Sequence, residues 1–280
     1  MNLIKPSFEI LEQAPGIQGI KQQIERAGRT CYKSEDKITD TSCEEFVSRM
    51  VNSGHGAMLE HGTVYLIISD LTDDFESIYE DFERNKYSKI NYDGSYLYVT
   101  TNYRVLVEND WLYALAYQCE PTVFHEKRIT VKFICDRGVS HEFVRHRVKS
   151  FAQESTRYCN YIKAKFGGSV TCLTPPWLKE SEELEFEEDL IVIEQIYFKW
   201  LNKGWTAQQA RGFLSTFTKT ELVMTGFVSD WEHFFKLRCH STAHPQAIEL
   251  AIPLKGIRAA DQQAGSTLGL LFRKSAEALN

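Results

Sequence analysis

The segment that most constrains the fold lies in the middle of the chain, where an alternating run passes directly into a helix signal. Apolar side chains recur at every second position from Ile129 to Phe133. This period of two predicts a half-buried strand, Arg128–Cys135. Asp136 can then cap a helix from Arg137 to about Arg147, which sets Arg145, His146 and Arg147 at its C-terminal end. The residues from Lys149 to Tyr158 are expected to form a loop carried on this support.

The rest of the chain contains further strand and helix signals. The predicted strands are Ser7–Leu11 and Thr63–Ser69, and the predicted helices are Ile17–Gly28, 42–53, Asp73–Asn85, Tyr103–Gln118, Glu182–Lys203, Thr206–Leu214, 229–238 and a last helical region from Pro245. The predicted N-terminal caps are Asn102 and Thr206, with capping boxes formed by Ser42 with Glu45 and by Ser229 with Glu232.

The mixture of strands with segregated helices indicates an α+β fold. At 280 residues, with 43% hydrophobic and 25% charged side chains, the chain can bury a full core. A Gly-x-Gly-x-x-Gly fingerprint is missing from the sequence, so a bound dinucleotide would need a site other than a Rossmann domain. We expect a single domain over residues 1–280.

A cluster of cations stands out in this acidic chain. From Arg137 to Lys165 there are seven Lys and Arg residues against two Glu, a local charge of +5 in a chain of net charge −6. Ser150, Gln153 and Ser155 place neutral hydrogen-bonding groups between the cations. Guanidinium groups match phosphate and imide-like edges, and hydroxyls and amides complete such a site without adding charge. The segment therefore predicts a pocket for an anionic small molecule.

Four sequence blocks, in order, carry a family resemblance. They are Gly54-His55-Gly56-Ala57-Met58-Leu59-Glu60-His61, Arg145-His146-Arg147 with Ser155 and Arg157-Tyr158, Ala210-Arg211, and His233-Phe234-Phe235-Lys236-Leu237-Arg238. Together they resemble the motifs of flavin-dependent thymidylate synthases. The resemblance implies a central, mostly antiparallel sheet flanked by helices. It also implies methylation of dUMP at C5, with methylenetetrahydrofolate as carbon donor, FAD as hydride carrier, NADPH as reductant, and a homotetramer.

The resemblance also assigns roles to individual residues. It implies that Arg238 activates the uracil ring as the catalytic residue. The residues implied to bind dUMP are Glu142, Arg145, Gln153, Glu154, Ser155, Arg157, Arg211 and Arg238. The residues implied to bind FAD are His55, Ala57, Glu60, Arg145, His146, Arg147, Gln153 and His233.

The chain departs from the family pattern at several positions. Glu142 stands where the family usually has Gln, and Gln153 stands where it often has Glu. The His-Ala-Gln-x-Glu run expected after Arg238 is replaced by Thr242-Ala243-His244-Pro245-Gln246. The long spacing between His61 and Arg145 predicts an inserted subdomain at about residues 71–125.

Three other interpretations stay open. Cys239 could act as a nucleophile toward a pyrimidine ring. The basic segment could instead belong to a non-catalytic module that binds nucleotides or RNA. Cys239, His240 and His244 resemble part of a zinc site, but the sequence offers no convincing further ligand, so we expect no metal.

Seven cysteines without a Cys-x-x-Cys pair are typical of reduced, mostly buried thiols in a cytoplasmic protein. The net charge of −6 argues against general affinity for nucleic acid. Uninterrupted apolar runs long enough for a membrane span are missing, and residues 1–6 do not resemble a signal peptide.

Overall fold

The structure, a computed structural model, describes the backbone of residues 1–264 and the side chains of residues 1–257. Its strands are β1 (Asn2–Ile4), β2 (Ser7–Ile10), β3 (Thr63–Ser69), β4 (Lys89–Tyr92), β5 (Tyr96–Asn102), β6 (Arg128–Asp136), β7 (Ser150–Gln153), β8 (Thr171–Leu173) and β9 (Lys219–Phe227). Its helices are α1 (Gly16–Thr30), α2 (Ser42–Asn52), α3 (Gly56–Leu59), α4 (Phe75–Arg84), α5 (Tyr103–Glu108), α6 (Arg137–Phe143), α7 (Glu183–Asn202), α8 (Ala207–Ala210), α9 (Val228–Arg238) and α10 (Pro245–Ala264).

The strands form two antiparallel sheets and one short parallel pair. The central sheet has the strand order β2-β6-β9-β7, and every neighbouring pair in it is antiparallel. A second antiparallel sheet has the order β3-β5-β4, and β1 pairs with β8 in parallel. The predicted α+β class with mostly antiparallel sheet and flanking helices is confirmed.

The central sheet is covered on both faces. On one face, Phe133 and Met224 pack against Trp231 and Phe234 of α9, and α10 completes this core. On the opposite face, Val223 joins a smaller apolar cluster that contains Ala27 of α1 and Ala152 of β7. Because successive side chains of a strand point to opposite faces, this division decides which residues of β7 and β9 can share a site.

The three-stranded sheet shares its core with the first two long helices. Val64 and Leu66 of β3 pack in one cluster with Ile24 of α1, Phe46 of α2 and Phe82 of α4. Residues 71–125 therefore contribute to a core that also contains elements from outside that segment. The description of this segment as an insertion stays a prediction.

Several predicted boundaries and caps are confirmed. β3 has the predicted bounds, α9 ends at Arg238 and α10 begins at Pro245. Asn102 accepts a hydrogen bond from the Val105 amide, and Thr206 accepts one from the Gln209 amide, so both act as N-terminal caps. These positions were predictable because a short polar side chain there can satisfy a free amide of the first turn.

Both predicted capping boxes that involve serine are wrong. The Ser42 hydroxyl donates to Glu25 Oε2 at 2.8 Å and lies inside the first turn of α2. At α9, Asp230 rather than Glu232 reaches back, and its carboxylate accepts from the Phe227 amide at 3.0 Å. Ser42 bonds to a residue of α1 instead of to its own first turn, and at α9 Asp230 takes the place predicted for Glu232.

The helix predicted over Tyr103–Gln118 is also wrong as a single element. The chain forms α5 and then a 3₁₀ helix, Leu112–Tyr117. Asp110 separates them with a φ of 61°, a left-handed backbone conformation that no continuous helix contains.

All seven cysteines are free thiols, and burial raises the pKa of each of them. Within residues 1–264, no helix combines the length and the apolar composition that crossing a bilayer requires.

Candidate functional site

Arg238, the last residue of α9, is held by two groups from the α6 region. Its Nε donates to His146 Nε2 at 3.0 Å, and its Nη2 donates to the Glu142 carbonyl oxygen at 2.8 Å. Its Nη1 also forms an ion pair with the Glu142 carboxylate. The Arg238 side chain is only 13% exposed. Three of the five guanidinium N–H groups are therefore engaged, and the fork is fixed in orientation.

The position of Glu142 and His146 follows from a shorter helix than the sequence predicts. Asp136 caps α6 as expected, since its Oδ1 accepts from the Val139 amide at 2.7 Å. However, α6 ends at Phe143, which packs edge to face on Phe234 of α9. The expectation that Arg145–Arg147 lie on the helix end is therefore wrong. They lie in a turn after α6, with Arg145 and Arg147 exposed.

His146 is the buried member of this turn. Burial, assisted by the nearby cations Lys149 and Arg238, lowers its pKa to about 3. A neutral imidazole can accept through one nitrogen only, so the bond from Arg238 Nε places the ring proton on Nδ1. The ring of the exposed residue His233 lies edge-on to His146, with the ring centroids 5.8 Å apart.

Lys149 anchors the same turn and was not singled out from the sequence. Its Nζ donates to the Asp230 carbonyl oxygen at 2.7 Å and lies 4.9 Å from the centroid of the Trp231 ring. Burial lowers the pKa of Lys149 to about 8, and Asp230 opposes this shift. Lys149 thus fixes the first turn of α9 to the turn that contains His146. The sequence shows that Lys149 belongs to the basic segment. It could not show that Lys149 is buried against the ring of Trp231, which lies 82 positions further along the chain.

The residues that follow this turn form β7, so the predicted Lys149–Tyr158 loop is partly wrong. Gln153 Nε2 donates to Ser140 Oγ at 2.9 Å and to Thr220 Oγ1 at 3.2 Å, which places Gln153 on the α6 side of the sheet. Glu154 is 1% exposed and lies on the opposite side, where its carboxylate contacts Lys219 at 2.9 Å. The structure therefore places Gln153 on the side of the sheet that α6 covers and the Glu154 carboxylate on the opposite side.

A second group of predicted residues lies around α8. Arg157 is exposed, and its Nε donates to Gln208 Oε1 of α8 at 3.1 Å. Arg211, also exposed, begins the 3₁₀ helix Arg211–Phe213 directly after α8. Ser155 is fixed through its amide, which donates to the Cys31 carbonyl at 3.0 Å.

The third group surrounds α3, which lies against β7. His55 precedes α3 and is exposed, as is Ala57. Glu60 Oε1 pairs with Arg104 Nη1 at 2.6 Å, and Arg104 was not predicted as a site residue. No sequence signal pointed to Arg104, because it lies on α5, 44 positions from its partner.

The structure does not favour the chemistry of the other interpretations. Burial raises the pKa of the Cys239 thiol, which is the opposite of what a thiolate nucleophile needs. His244 packs against Trp177, with 5.5 Å between ring centroids. Within the described residues, no group of three or more His, Cys, Asp or Glu residues could hold a metal ion.

Known proteins resemble this chain over much of its length. A flavin-dependent thymidylate synthase of Corynebacterium aurimucosum is 26% identical over 242 residues, which cover 82% of this chain and 72% of that protein. One of Pyrococcus furiosus is 30% identical over 119 residues, and the match spans about half of that relative, 48%. A crystal structure of the UMP/dUMP methylase PolB from Streptomyces cacaoi, bound with 5-Br dUMP, aligns with 94% of this chain and with 93% of its own chain. The TM-score is 0.43 and the sequence identity is 16%.

The model of one protein family, described as thymidylate synthase complementing protein, matches residues 72–257. This match covers more than half of the 280 residues and includes Arg145–Arg147, Arg211 and Arg238. The resemblance to flavin-dependent thymidylate synthases is confirmed, and this chain belongs to the thymidylate synthase complementing protein family.

Proposed function

We propose that this protein catalyses the reductive methylation of dUMP to dTMP, with FAD as cofactor, methylenetetrahydrofolate as carbon donor and NADPH as reductant. The observation that carries the proposal is the fixed guanidinium of Arg238, which retains two N–H donors beyond its contacts with Glu142 and His146. The names of the relatives, flavin-dependent thymidylate synthases, support the reaction.

Arg238 performs the central chemical task in this proposal. The C5 atom of uracil is a poor nucleophile, and a cation at the N3/O4 edge favours the electron-rich form of the ring. An aligned donor to such developing charge contributes on the order of 10²–10³ in rate. Burial lowers the pKa of Arg238, but the Glu142 carboxylate opposes this effect, so the guanidinium keeps its charge.

The nucleotide is held by cations and neutral donors. Arg157 and Arg211 lie on adjoining segments and are exposed, so both can reach a phosphate. Gln153, on the α6 side of the sheet, contributes an amide next to Ser140, and Arg145 adds an exposed cation. Ser155 contributes its hydroxyl, which accepts only a long bond from the Arg157 amide, 3.3 Å.

The residues implied to hold FAD suit that group chemically. The exposed His233 ring, edge-on to neutral His146, offers an aromatic surface, and exposed Arg145 and Arg147 offer cations beside it. His55, Ala57, Glu60 and Gln153 complete the proposed set. When bound, FAD supplies the hydride that it receives from NADPH.

We infer further that the protein works as a homotetramer in which neighbouring copies complete each site. The support is the resemblance to flavin-dependent thymidylate synthases, which implies a homotetramer with sites shared between copies. An isologous arrangement would bring the α8 region of one copy to the α9 region of another.

The test uses the purified protein. We expect a yellow protein whose flavin absorbance band is lost on addition of NADPH. It should release tritium from 5-labelled dUMP only when NADPH and methylenetetrahydrofolate are both present. A colourless protein that cannot be reconstituted with FAD would rule the proposal out.

Two alternatives are separated by simple controls. Turnover that persists in Cys239→Ala excludes a cysteine nucleophile, as the raised pKa of that thiol leads us to expect. A nucleotide- or RNA-binding module would show affinity that falls steeply with salt and would bind no flavin.

A further inference from the structure

Five residues near Ser155 are joined into a ring, partly by contacts and partly by short stretches of chain. We name it the ion-pair ring: Lys33, Glu221, Lys219, Glu154 and Cys31. Lys33 Nζ pairs with Glu221 Oε1, and Lys219 Nζ pairs with the same oxygen at 2.7 Å. Lys219 Nζ also pairs with Glu154 Oε2 at 2.9 Å. Ser155 follows Glu154 in the chain, and its amide donates to the Cys31 carbonyl at 3.0 Å. Cys31 precedes Lys33 by two residues, which completes the ring.

The ring is buried where it meets the nucleotide segment. Glu154 is 1% exposed and Glu221 is 5% exposed. Burial would raise the pKa of Glu221, but Lys219 and its neighbours hold that pKa well below its usual range. Burial would likewise lower the pKa of Lys219, and the Glu154 and Glu221 carboxylates raise it instead. Both partners therefore stay charged, and removing Lys219 would take away the cation that pairs with the buried Glu154 carboxylate.

Two further hydrogen bonds fix the position of Glu154. Its Oε1 accepts from the Tyr161 hydroxyl at 3.0 Å, and its amide donates to the Glu221 carbonyl at 2.8 Å. Arg157 lies three residues beyond Glu154, so a displacement of Glu154 would move the segment that positions Arg157. The ring itself lies on the sheet face opposite to Gln153 and makes no contact with Arg238 in the described residues.

Lys33 occupies the left-handed position of the turn that ends α1, with a φ of 48°. Its amide donates to the Thr30 carbonyl at 3.4 Å, and the Ser34 amide donates to the Arg29 carbonyl at 3.2 Å, so the end of the helix imposes this conformation. From this turn the Lys33 side chain pairs with Glu221.

We propose that Lys219 is a positioning residue, which through Glu154 and the ion-pair ring orders residues 155–158 for the phosphate-bearing end of a pyrimidine nucleotide. The identity of the ligand rests on the proposed function, whereas the ordering of residues 155–158 does not. The chemistry of the ring is electrostatic only, and no bond is made or broken in it.

The decisive comparison is between Lys219→Met and Lys132→Met in the full-length protein. Lys132 Nζ pairs with Glu221 Oε2 at 2.7 Å but has no contact with Glu154, so its loss removes a cation from the same carboxylate without opening the ring. Amide hydrogen exchange of peptides covering residues 154–160 is measured without nucleotide. We expect exchange to accelerate on the order of tenfold in Lys219→Met and to stay at the wild-type rate in Lys132→Met.

The second measurement is steady-state turnover with dUMP. For Lys219→Met we expect the KM for dUMP to rise on the order of 10–100-fold, because small displacements of a binding group have effects of this size. The value of kcat should change by less than about threefold, since Arg238 is untouched. Lys219→Arg, which keeps the charge, should restore both the exchange rate and KM.

Each result decides one point. Unchanged exchange in Lys219→Met, or equal acceleration in Lys132→Met, overturns the proposal whatever the enzyme does with dUMP. If the wild-type protein does not use dUMP, the proposed function fails, and the exchange data still decide whether the ring orders residues 155–158. If Lys219→Met does not fold, Tyr161→Phe removes only the 3.0 Å bond to Glu154 and should accelerate the same peptides to a smaller degree.

Discussion

Burial, assisted by the nearby cations Lys149 and Arg238, keeps the imidazole of His146 neutral. Neutrality allows His146 to accept the Arg238 Nε–H bond, so one buried side chain orients the guanidinium that we assign to the pyrimidine ring. The Glu142 carboxylate completes the orientation. The family resemblance implied site roles for Arg238, His146 and Glu142 separately. It could not show that Glu142 and Arg238 pair, because they are 96 positions apart.

The first prediction concerns Arg238. Arg238→Ala should lower kcat on the order of 10²–10³-fold, because an oriented donor to developing charge is lost, while the protein keeps its flavin. Tritium release from 5-labelled dUMP and the flavin absorbance band measure the two properties. Lys236→Ala, which removes an exposed cation from the same helix, is the matched control and should retain normal turnover. Normal turnover in Arg238→Ala would show that the assigned role is wrong.

The second prediction concerns acid stability. His61 is fully buried, and its pKa, like that of His146, is lowered to about 3 by burial. An unfolded histidine titrates near 6.5, so below that pH the unfolded state binds more protons. The free energy of unfolding should therefore fall as the pH drops from about 6.5 toward 3, by roughly 1.4 kcal/mol per pH unit for each histidine.

Urea unfolding at pH 7 and pH 5 measures this loss. His61→Gln should remove only part of the histidine-dependent difference, since burial also lowers the pKa of His125 and His146. His240→Gln changes an exposed ring and should leave the difference as it is. An identical pH dependence in His61→Gln and the wild type would contradict the assignment.

At the scale of elements, local signals predicted helices and their caps better than strands. β6 was predictable because apolar side chains recur at every second position along it. The sequence of β9, its partner in the sheet, shows no such alternation. Residues 220–227 of β9 are all buried, so apolar and polar side chains do not alternate there. β7 was taken for a loop because its four residues are too few to show a pattern. Pairing with β9 over Ser150–Gln153 makes it a strand.

The third prediction tests how closely two elements approach. A Cβ at Gly28 of α1 would lie 2.5 Å from Phe46 Cζ of α2, so the helices pack with no room for a methyl group. Gly28→Ala should lower the free energy of unfolding by about 1–3 kcal/mol. Gly256→Ala in α10, where nothing lies within 4 Å, should raise it by about 0.5–1 kcal/mol. Chemical denaturation measures both, and equal effects in the two variants would contradict this account of the packing.

At the scale of the whole molecule, Arg238 ends α9, whose Phe234 packs in the core of the central sheet. Arg157 and Arg211 lie beside α8, whose Ala210 packs in a different apolar cluster. The sequence motifs predicted that these residues belong to one site, and family membership supports that prediction. Motif order along a chain carries no information about which copy supplies each residue. The homotetramer is therefore proposed from the family resemblance alone.

The fourth prediction tests a site shared between copies. Arg238→Ala and Arg157→Ala should each be nearly inactive alone. When the two are unfolded, mixed in equal amounts and refolded together, random assembly should restore up to about a quarter of the wild-type activity. Activity assays of the mixture, with sizing of the assembly against the chain mass of 32.3 kDa, measure this. No recovery in mixed assemblies of normal size would place the complete site within one chain.

The seven protonated thiols make the native protein a convenient host for site-directed labelling. Maleimides and iodoacetamides attack thiolates, so the endogenous sulfur atoms should react slowly near neutral pH. One cysteine introduced at the exposed position of Tyr158 would then take up a fluorophore or a spin label selectively. A reporter at that position would follow the segment beside Arg157 as nucleotide arrives, without prior removal of any native cysteine.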